Sequence, residues 1–373
     1  MSVLRKFSID WYIVGALIPI LVMSLLTMNS FTGVTNFAER QLIWIGISFV
    51  ALFSLSFVDF RFLRRTSVIV SLYAVAILAL LVLFGIGHVA KGAKSWVNLG
   101  LFSIQPSDPV KLVMILLLAK YFSRRHIQIA HIRHIVVSAV YAGIVALLVA
   151  LQPDFGSAIT ICSIWFGMVL ISGISKKHLA IVFCIGAISF AGLWNYGFKE
   201  YQKARIMNFI HPLADIRGTG YNAYQAMITV GSGEVFGKGI GYGTQSRLKF
   251  LPEYQTDFIF AAFSEEWGFI GVIMLFVLYT IIIGRILMWA MKGETNFETL
   301  YAVGYTIFLM THLIINIGMN IGIMPVTGIP VPFMSYGGSH LLTEFVGLGI
   351  LMGMMKYSRA THRDVMRNEF HGA

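Results

Sequence analysis

In the segment FLPEYQTDFIFAAFSEEWG, a single carboxylate, Asp257, stands where an apolar run begins, a costly place for a charge that has no task. Two readings are open to it. With Thr256 it is a natural N-cap for the helix that follows, or it is a general base acting on a substrate held at the membrane surface. Glu265 and Glu266 come one helical stretch later, and a glutamate pair in an apolar surround survives by pairing, so both read as structural braces to a lysine or to backbone amides. Lys111, three residues after Asp108 and on the same helical face, shares with Arg205, Arg217, Lys238 and the carboxylate Asp154 the segments that a membrane helix would avoid. Taken singly, these cations are snorkelling or loop residues. Grouped beside carboxylates and a cavity, they suit a diphosphate ligand. Glu344, inside the last apolar run, demands an internal partner. His312 and His340 follow no metal-ligand spacing, and there is no Walker-type glycine loop, Ser/His/Asp order or HExxH motif. ATP-driven transport and hydrolytic catalysis lose support accordingly.

The elements that position these residues are membrane helices. The chain of 373 residues is 57% hydrophobic and 12% charged with a mean hydropathy of +0.77, far too apolar for a soluble domain of this length. Apolar runs near 11–28, 42–58, 67–87, 109–123, 135–151, 157–174, 178–196, 267–290, 299–324 and 339–356 predict about ten transmembrane helices, since ~20 residues cross the hydrocarbon. The first run is too long for a removable signal peptide. With both termini in the cytoplasm, Arg61, Arg64, Arg65, Lys176, Lys177, Arg285 and Lys292 all fall inside, as basic residues of short loops should. The net charge of +11 is then a topology signal that needs no nucleic-acid partner. Cys162 and Cys184 sit in apolar spans and suggest neither a disulfide nor a thiolate metal site.

On this topology the segments 88–108, 152–156, 198–257 and 325–338 open on the external face. The first has turns at Gly92 and Gly100 and an interfacial Trp96. The long loop is rich in glycine, which lets a folded backbone approach a ligand closely. The last, MPVTGIPVPFMSYGGS, strings Pro325, Pro330 and Pro332, and irregular backbone at membrane depth must be buried in protein or line a cavity. It is therefore expected to be re-entrant. The whole reads as a single membrane domain, residues 1–373, with one large structured extracytoplasmic loop at about 198–257.

The stretches KGAKSW and QPSDPVK, QPDFGSA, GYNAYQAMITVGSGEVFGKGIGYGTQSRLKFLPEYQTDFIFAAFSEEWG and GIPVPFMSYGGS, in this order on these spans, resemble the SEDS family of shape, elongation, division and sporulation proteins, and most closely its elongation-type branch. The resemblance covers nearly the whole chain. It implies an all-α polytopic fold in the bacterial cytoplasmic membrane and a peptidoglycan glycosyltransferase that polymerises lipid II into β-1,4 strands on the outer face during cell elongation. It also implies a membrane complex with a class B penicillin-binding protein. Carried over by position, Asp257 is the essential aspartate of TDFIF, Lys111 the lysine after QPS, Arg40 the arginine after the first span, Arg205 the basic residue of the YQ-x-x-R stretch, and Lys238 the lysine of GKG. Gln245 falls in the G-x-Q element, and Pro330, Ser335, Gly337 and Gly338 in the closing motif. Asp108, Asp154, Gln245 and Ser335 join the cations as substrate-binding candidates. Three positions depart from the pattern: Ser95 stands where an arginine is common, beside Lys94, Asp108 replaces a glutamate, and Glu234 replaces a third glycine.

Such a reaction inverts one sugar centre. It needs a base for the acceptor hydroxyl and positive charge for the departing diphosphate around an oxocarbenium-like centre. A divalent cation, Mg or Mn, bridging the phosphates fits this chemistry, and no organic cofactor is required. Intramembrane charges and broken helices are also traits of transporters. A lipid-linked precursor flippase or transporter is therefore the alternative, and a scaffold without chemistry a third class. Clustering of the polar groups on one face, away from the midplane, favours surface chemistry.

Overall fold

The computed structural model of the chain describes residues 9–30, 37–86, 88–90, 93–98, 103–124, 132–211, 220–248 and 250–371. Gly92, Gly100 and Arg217 lie outside the described residues, as do the side chains of Lys94 and Ser95. The helices, in chain order, are α1 (Trp11–Asn29), α2 (Phe37–Ser56), α3 (Thr66–Ile86), α4 (Ser107–Ser123), α5 (Ile132–Leu151), α6 (Phe155–Ile171), α7 (Lys176–Gly192), α8 (Glu200–Ile210), α9 (Tyr221–Gly231), α10 (Thr244–Arg247), α11 (Ile259–Ala290), α12 (Asn296–Asn320) and α13 (Gly338–His371). Each of the ten apolar runs has become a helix: α1 to α7 and α11 to α13. Eight candidate spans have the length and hydropathy to cross a bilayer. The other two, α4 and α6, have 17 residues, the short end of the spanning range of ~17–25. The chain is a multi-pass membrane protein.

Three short strands between α3 and α4, β1 (His88–Ala90), β2 (Ala93–Asn98) and β3 (Ser103–Ile104), pair antiparallel in sequence order, with Val97 opposite Ile104. The sequence leads one to expect only turns there. Of the long loop, the described part folds into α8, α9, α10 and tight turns, as its glycine content suggests.

Within the bundle α12 is central, touching α4, α6, α11 and α13, while α13 packs chiefly along α2. Glycine makes that last approach possible: a Cβ at Gly349 would press on Leu52 and Leu55, and one at Gly353 on Phe60, the small-residue packing usual between membrane helices. One end of the bundle is tied by Asp10, which caps α1 through the Tyr12 amide at 3.0 Å and accepts from the Arg285 guanidinium at 2.6 Å. The rim differs. No residue of α7 is buried, and it leans on α6 through an edge-on Phe166–Phe183 contact at 5.5 Å.

Candidate active site

Between α12 and α13 the chain does not cross directly. Residues 321–337 form no helix, and their polar backbone is satisfied by side chains from five spans. Ser24 of α1 donates to the Met334 carbonyl at 2.6 Å, Gln41 of α2 to the Ser335 carbonyl at 3.2 Å, and Tyr279 of α11 to the Pro332 carbonyl at 2.5 Å. Glu344 of α13 accepts the Phe333 amide at 2.8 Å. Asn316 of α12 donates to the Ile329 carbonyl at 2.7 Å, and His312 lies 3.3 Å from the Pro330 carbonyl. Tyr279 is well inside α11, so this segment dips to membrane depth and is re-entrant, buried in protein as such backbone must be. At Gly338 a Cβ would overlap the Trp44 ring, whereas Gly337 has ordinary room.

Asp257 is set on the edge of this segment. Its carbonyl accepts from Asn316 at 2.9 Å and Asn320 at 3.2 Å, and Asn320 also accepts the Ala261 amide at 3.2 Å. The neighbouring carbonyls are pinned too: Ser335 donates to Thr256 at 2.7 Å and Tyr336 to Gln255 at 2.9 Å. α11 begins at Ile259 with Phe258 in the cap position, so Asp257 stands one residue too early for that role, and the N-cap reading falls. Its half-buried carboxylate faces Gly328, where a Cβ would sit 3.6 Å from Oδ2 on a backbone with φ +76°.

The glutamates behave as braces. Glu265 accepts from the Lys238 ammonium at 2.7 Å, the Thr244 amide and hydroxyl each at 2.9 Å, and the Gln245 amide at 3.2 Å. Glu266 accepts from the Ser30 hydroxyl and from the Gly241 amide at 3.2 Å. Lys238 and Gln245, expected to meet substrate, are thus engaged inside the loop, and the Gln245 side chain accepts from Gln225.

Other expected substrate contacts are also turned inward. Lys111 is 2% exposed and neither snorkels nor reaches water, because its ammonium pairs with Asp108 at 2.9 Å. Asp108 in turn lies 3.6 Å from His340, whose other ring nitrogen is 2.8 Å from Glu344. That short approach is misaligned for a hydrogen bond, so the contact is chiefly coulombic. His340 stacks on His312 at 4.7 Å. Asp154 caps α6 through the Ser157 amide at 3.1 Å and receives Gln105 at 2.7 Å and Ser107 at 3.1 Å. Ser335 is buried, its hydroxyl bridging the Val331 amide at 2.8 Å and Thr256. Arg40 is exposed on the first turn of α2, next to Gln41. Arg205 is exposed on α8 beside a small cavity lined by Asn208, Met227, Gly322 and Pro325. The cations therefore do not all converge on Asp257: the buried carboxylates of Asp108 and Glu265 hold Lys111 and Lys238.

Three residues that fix Asp257 and its supporting segment escaped the sequence analysis as site residues: His312 as a positioner, Asn316 and Asn320. The signal was present. They recur every four residues along an apolar helix, which places them on one face, and polar groups at membrane depth need such a face turned inward.

The cell cycle protein family of FtsW, RodA and SpoVE matches residues 4–360. The chain belongs to this family. Among FtsW/RodA/SpoVE relatives, the stage V sporulation protein E of Bacillus subtilis (strain 168) is 37% identical over 87% of this chain and 88% of its own length. The peptidoglycan glycosyltransferase MrdB of Escherichia coli (strain K12) is 35% identical over 79% of each. The rod shape determining protein RodA of Thermus thermophilus superposes with a TM-score of 0.71 at 26% identity, covering 95% of this chain and 99% of that one. A chain of a peptidoglycan synthase complex that coordinates polymerization and crosslinking superposes with 0.81 at 27%, covering 94% and 98%. In this FtsW/RodA/SpoVE protein the departure at Glu234 falls on a left-handed backbone, φ 48°, which is the physical reason for a glycine preference there.

Proposed function

We propose that the chain is an inverting peptidoglycan glycosyltransferase that polymerises lipid II, with Asp257 as the base that takes the proton of the acceptor hydroxyl. The observation that carries this reading is the fixation of Asp257: three side chains hold its backbone and that of Thr256, while the carboxylate is half-buried and is not the cap of α11. A base needs such placement more than it needs a special environment. The names of the relatives, two of which are peptidoglycan glycosyltransferases or part of a peptidoglycan synthase complex, support the same chemistry.

The proposed topology puts the Asp10 and Arg285 end in the bacterial cytoplasm and Asp257 outside. Arg40 and Arg205 are exposed, and in this reading they meet the diphosphate as the chain's own charges; Lys111 and Lys238 act by holding elements in place. Among the described residues no three His, Cys, Asp or Glu side chains gather as a metal cage. A divalent cation, Mg or Mn, fits only as one shared by Asp257 and the substrate phosphates, where it would neutralise charge on the leaving group. The partner is a class B penicillin-binding protein supplying crosslinks. Transport of a lipid-linked precursor remains the second reading, favoured by the break in α11 at Gly268 and the bare flank along α7.

The test is polymerisation of lipid II by the purified protein. Asp257→Asn should lose roughly 10²–10⁴-fold in rate with an unchanged melting temperature. Full polymerase activity in that variant overturns the assignment, and lipid flipping by vesicles with no glycan product replaces it by the transporter.

A further inference from the structure

At Gly268 (φ 65°, ψ −170°) the helix α11 is broken, and residues 234–239 of the long loop are spliced into the gap. The Glu265 and Glu266 carbonyls, released by the break, accept the Lys238 and Gly239 amides at 2.9 and 3.0 Å. The Phe269 and Ile270 amides, likewise released, donate to the Glu234 and Val235 carbonyls at 3.0 and 3.2 Å. No side chain could be admitted: a Cβ at Gly233, Gly237 or Gly268 would overlap the Ser264 carbonyl, the Glu266 carbonyl or the Gly237 amide. Arg285, paired with Asp10, marks one boundary of the bilayer. Counting ~20 residues back along the helix from there reaches Glu265, so the splice lies at the opposite hydrocarbon boundary, not in the water above it.

The outer side of this turn is apolar and bare. Phe236 is 81% and Val235 53% exposed, directly beside Phe269 at 59% and Ile270 at 51%, which open the lipid-facing stripe of α11. Tyr242, at 70%, follows on the same loop. The nearby ammonium of Lys238 is drawn inward to Glu265, away from this surface. Glu234, exposed on the same turn, keeps the tip from sinking below the headgroup level. We propose that the Val235–Phe236 tip, with Tyr242, is a membrane-interface anchor occupied by lipid acyl chains and headgroups, continuous with the lipid face of α11. The anchor sets the height of the loop that holds Lys238, Thr244 and Gln245 around Glu265, and it does not depend on what the site catalyses.

Site-directed spin labelling tests it. In a Cys162→Ser, Cys184→Ser background, nitroxides are placed singly at Phe236, Tyr242, Phe269 and Glu200, the last on exposed α8. The purified chain is reconstituted without other proteins in nanodiscs of phosphatidylethanolamine and phosphatidylglycerol. Collisions with oxygen and with a water-soluble nickel chelate then report depth. The expected result is a strong preference for oxygen at 236 and 269, an intermediate value at 242, and the reverse preference at 200. All four positions are exposed, so the labels leave the fold intact. Nickel access at 236 equal to that at 200 overturns the proposal, whether it persists or is lost only on adding a second protein, since the latter outcome makes the tip a protein-docking surface.

Discussion

Glu234 and Asp257 show how much a single side chain can owe to its backbone. Glu234 is held at φ 48° because its carbonyl must meet the Phe269 amide, and a left-handed conformation costs a residue with a Cβ roughly 1–2 kcal/mol. Glycine adopts it freely but loses more entropy on folding. The expected outcome for Glu234→Gly is a gain of about 1 kcal/mol, read as a higher melting temperature in detergent with polymerase activity kept. A lower melting temperature would mean that the Glu234 carboxylate has a partner worth more than the strain. Asp257 illustrates the reverse case, a carboxylate residue whose backbone carbonyl is fixed by the side chains of Asn316 and Asn320.

The broken helix α11 is the element on which the loop depends. Glu265 is fully buried and gathers four donors from residues 238–245, so removing it leaves those donors without an acceptor in a region of low dielectric. Glu265→Ala should cost about 3 kcal/mol and render residues 232–245 sensitive to protease. Lys238→Ala added to it should then cost little more, because the two side chains form one unit. A double-mutant cycle on thermal unfolding decides. Additive losses would show that the Lys238 ammonium has other work, such as holding substrate.

Across the whole molecule, a buried chain of charge links α4, α13 and the re-entrant segment: Lys111, Asp108, His340 and Glu344, ending on the Phe333 amide. Phe333 itself lies at φ 59°, a strained position that the surrounding contacts must maintain. His340 stands between two carboxylates, so His340→Gln should leave a buried charge poorly matched, lowering stability by about 3 kcal/mol and reducing polymerisation through the altered segment under Asp257. Adding Glu344→Gln removes that charge while keeping an acceptor for Phe333, and most of both losses should return. Further loss in the double variant, measured by melting and by rate, would show that His340 acts only through packing.

The spans, the re-entrant segment and the place of Asp257 are legible in one dimension. Hydrocarbon admits backbone only as helix or when it is buried in protein, so apolar length and proline spacing carry that information, and the TDFIF run marks the acid at the edge. Glu265 and Glu266 as braces follow from the same cost of buried charge. The partners of those charges are not legible. Asp108 meets His340, Gln105 meets Asp154, Ser335 meets Thr256 and Lys238 meets Glu265 across separations that leave no periodic trace. Packing chose among them, and it engaged Lys111 and Lys238, both expected to meet substrate, in ion pairs with Asp108 and Glu265.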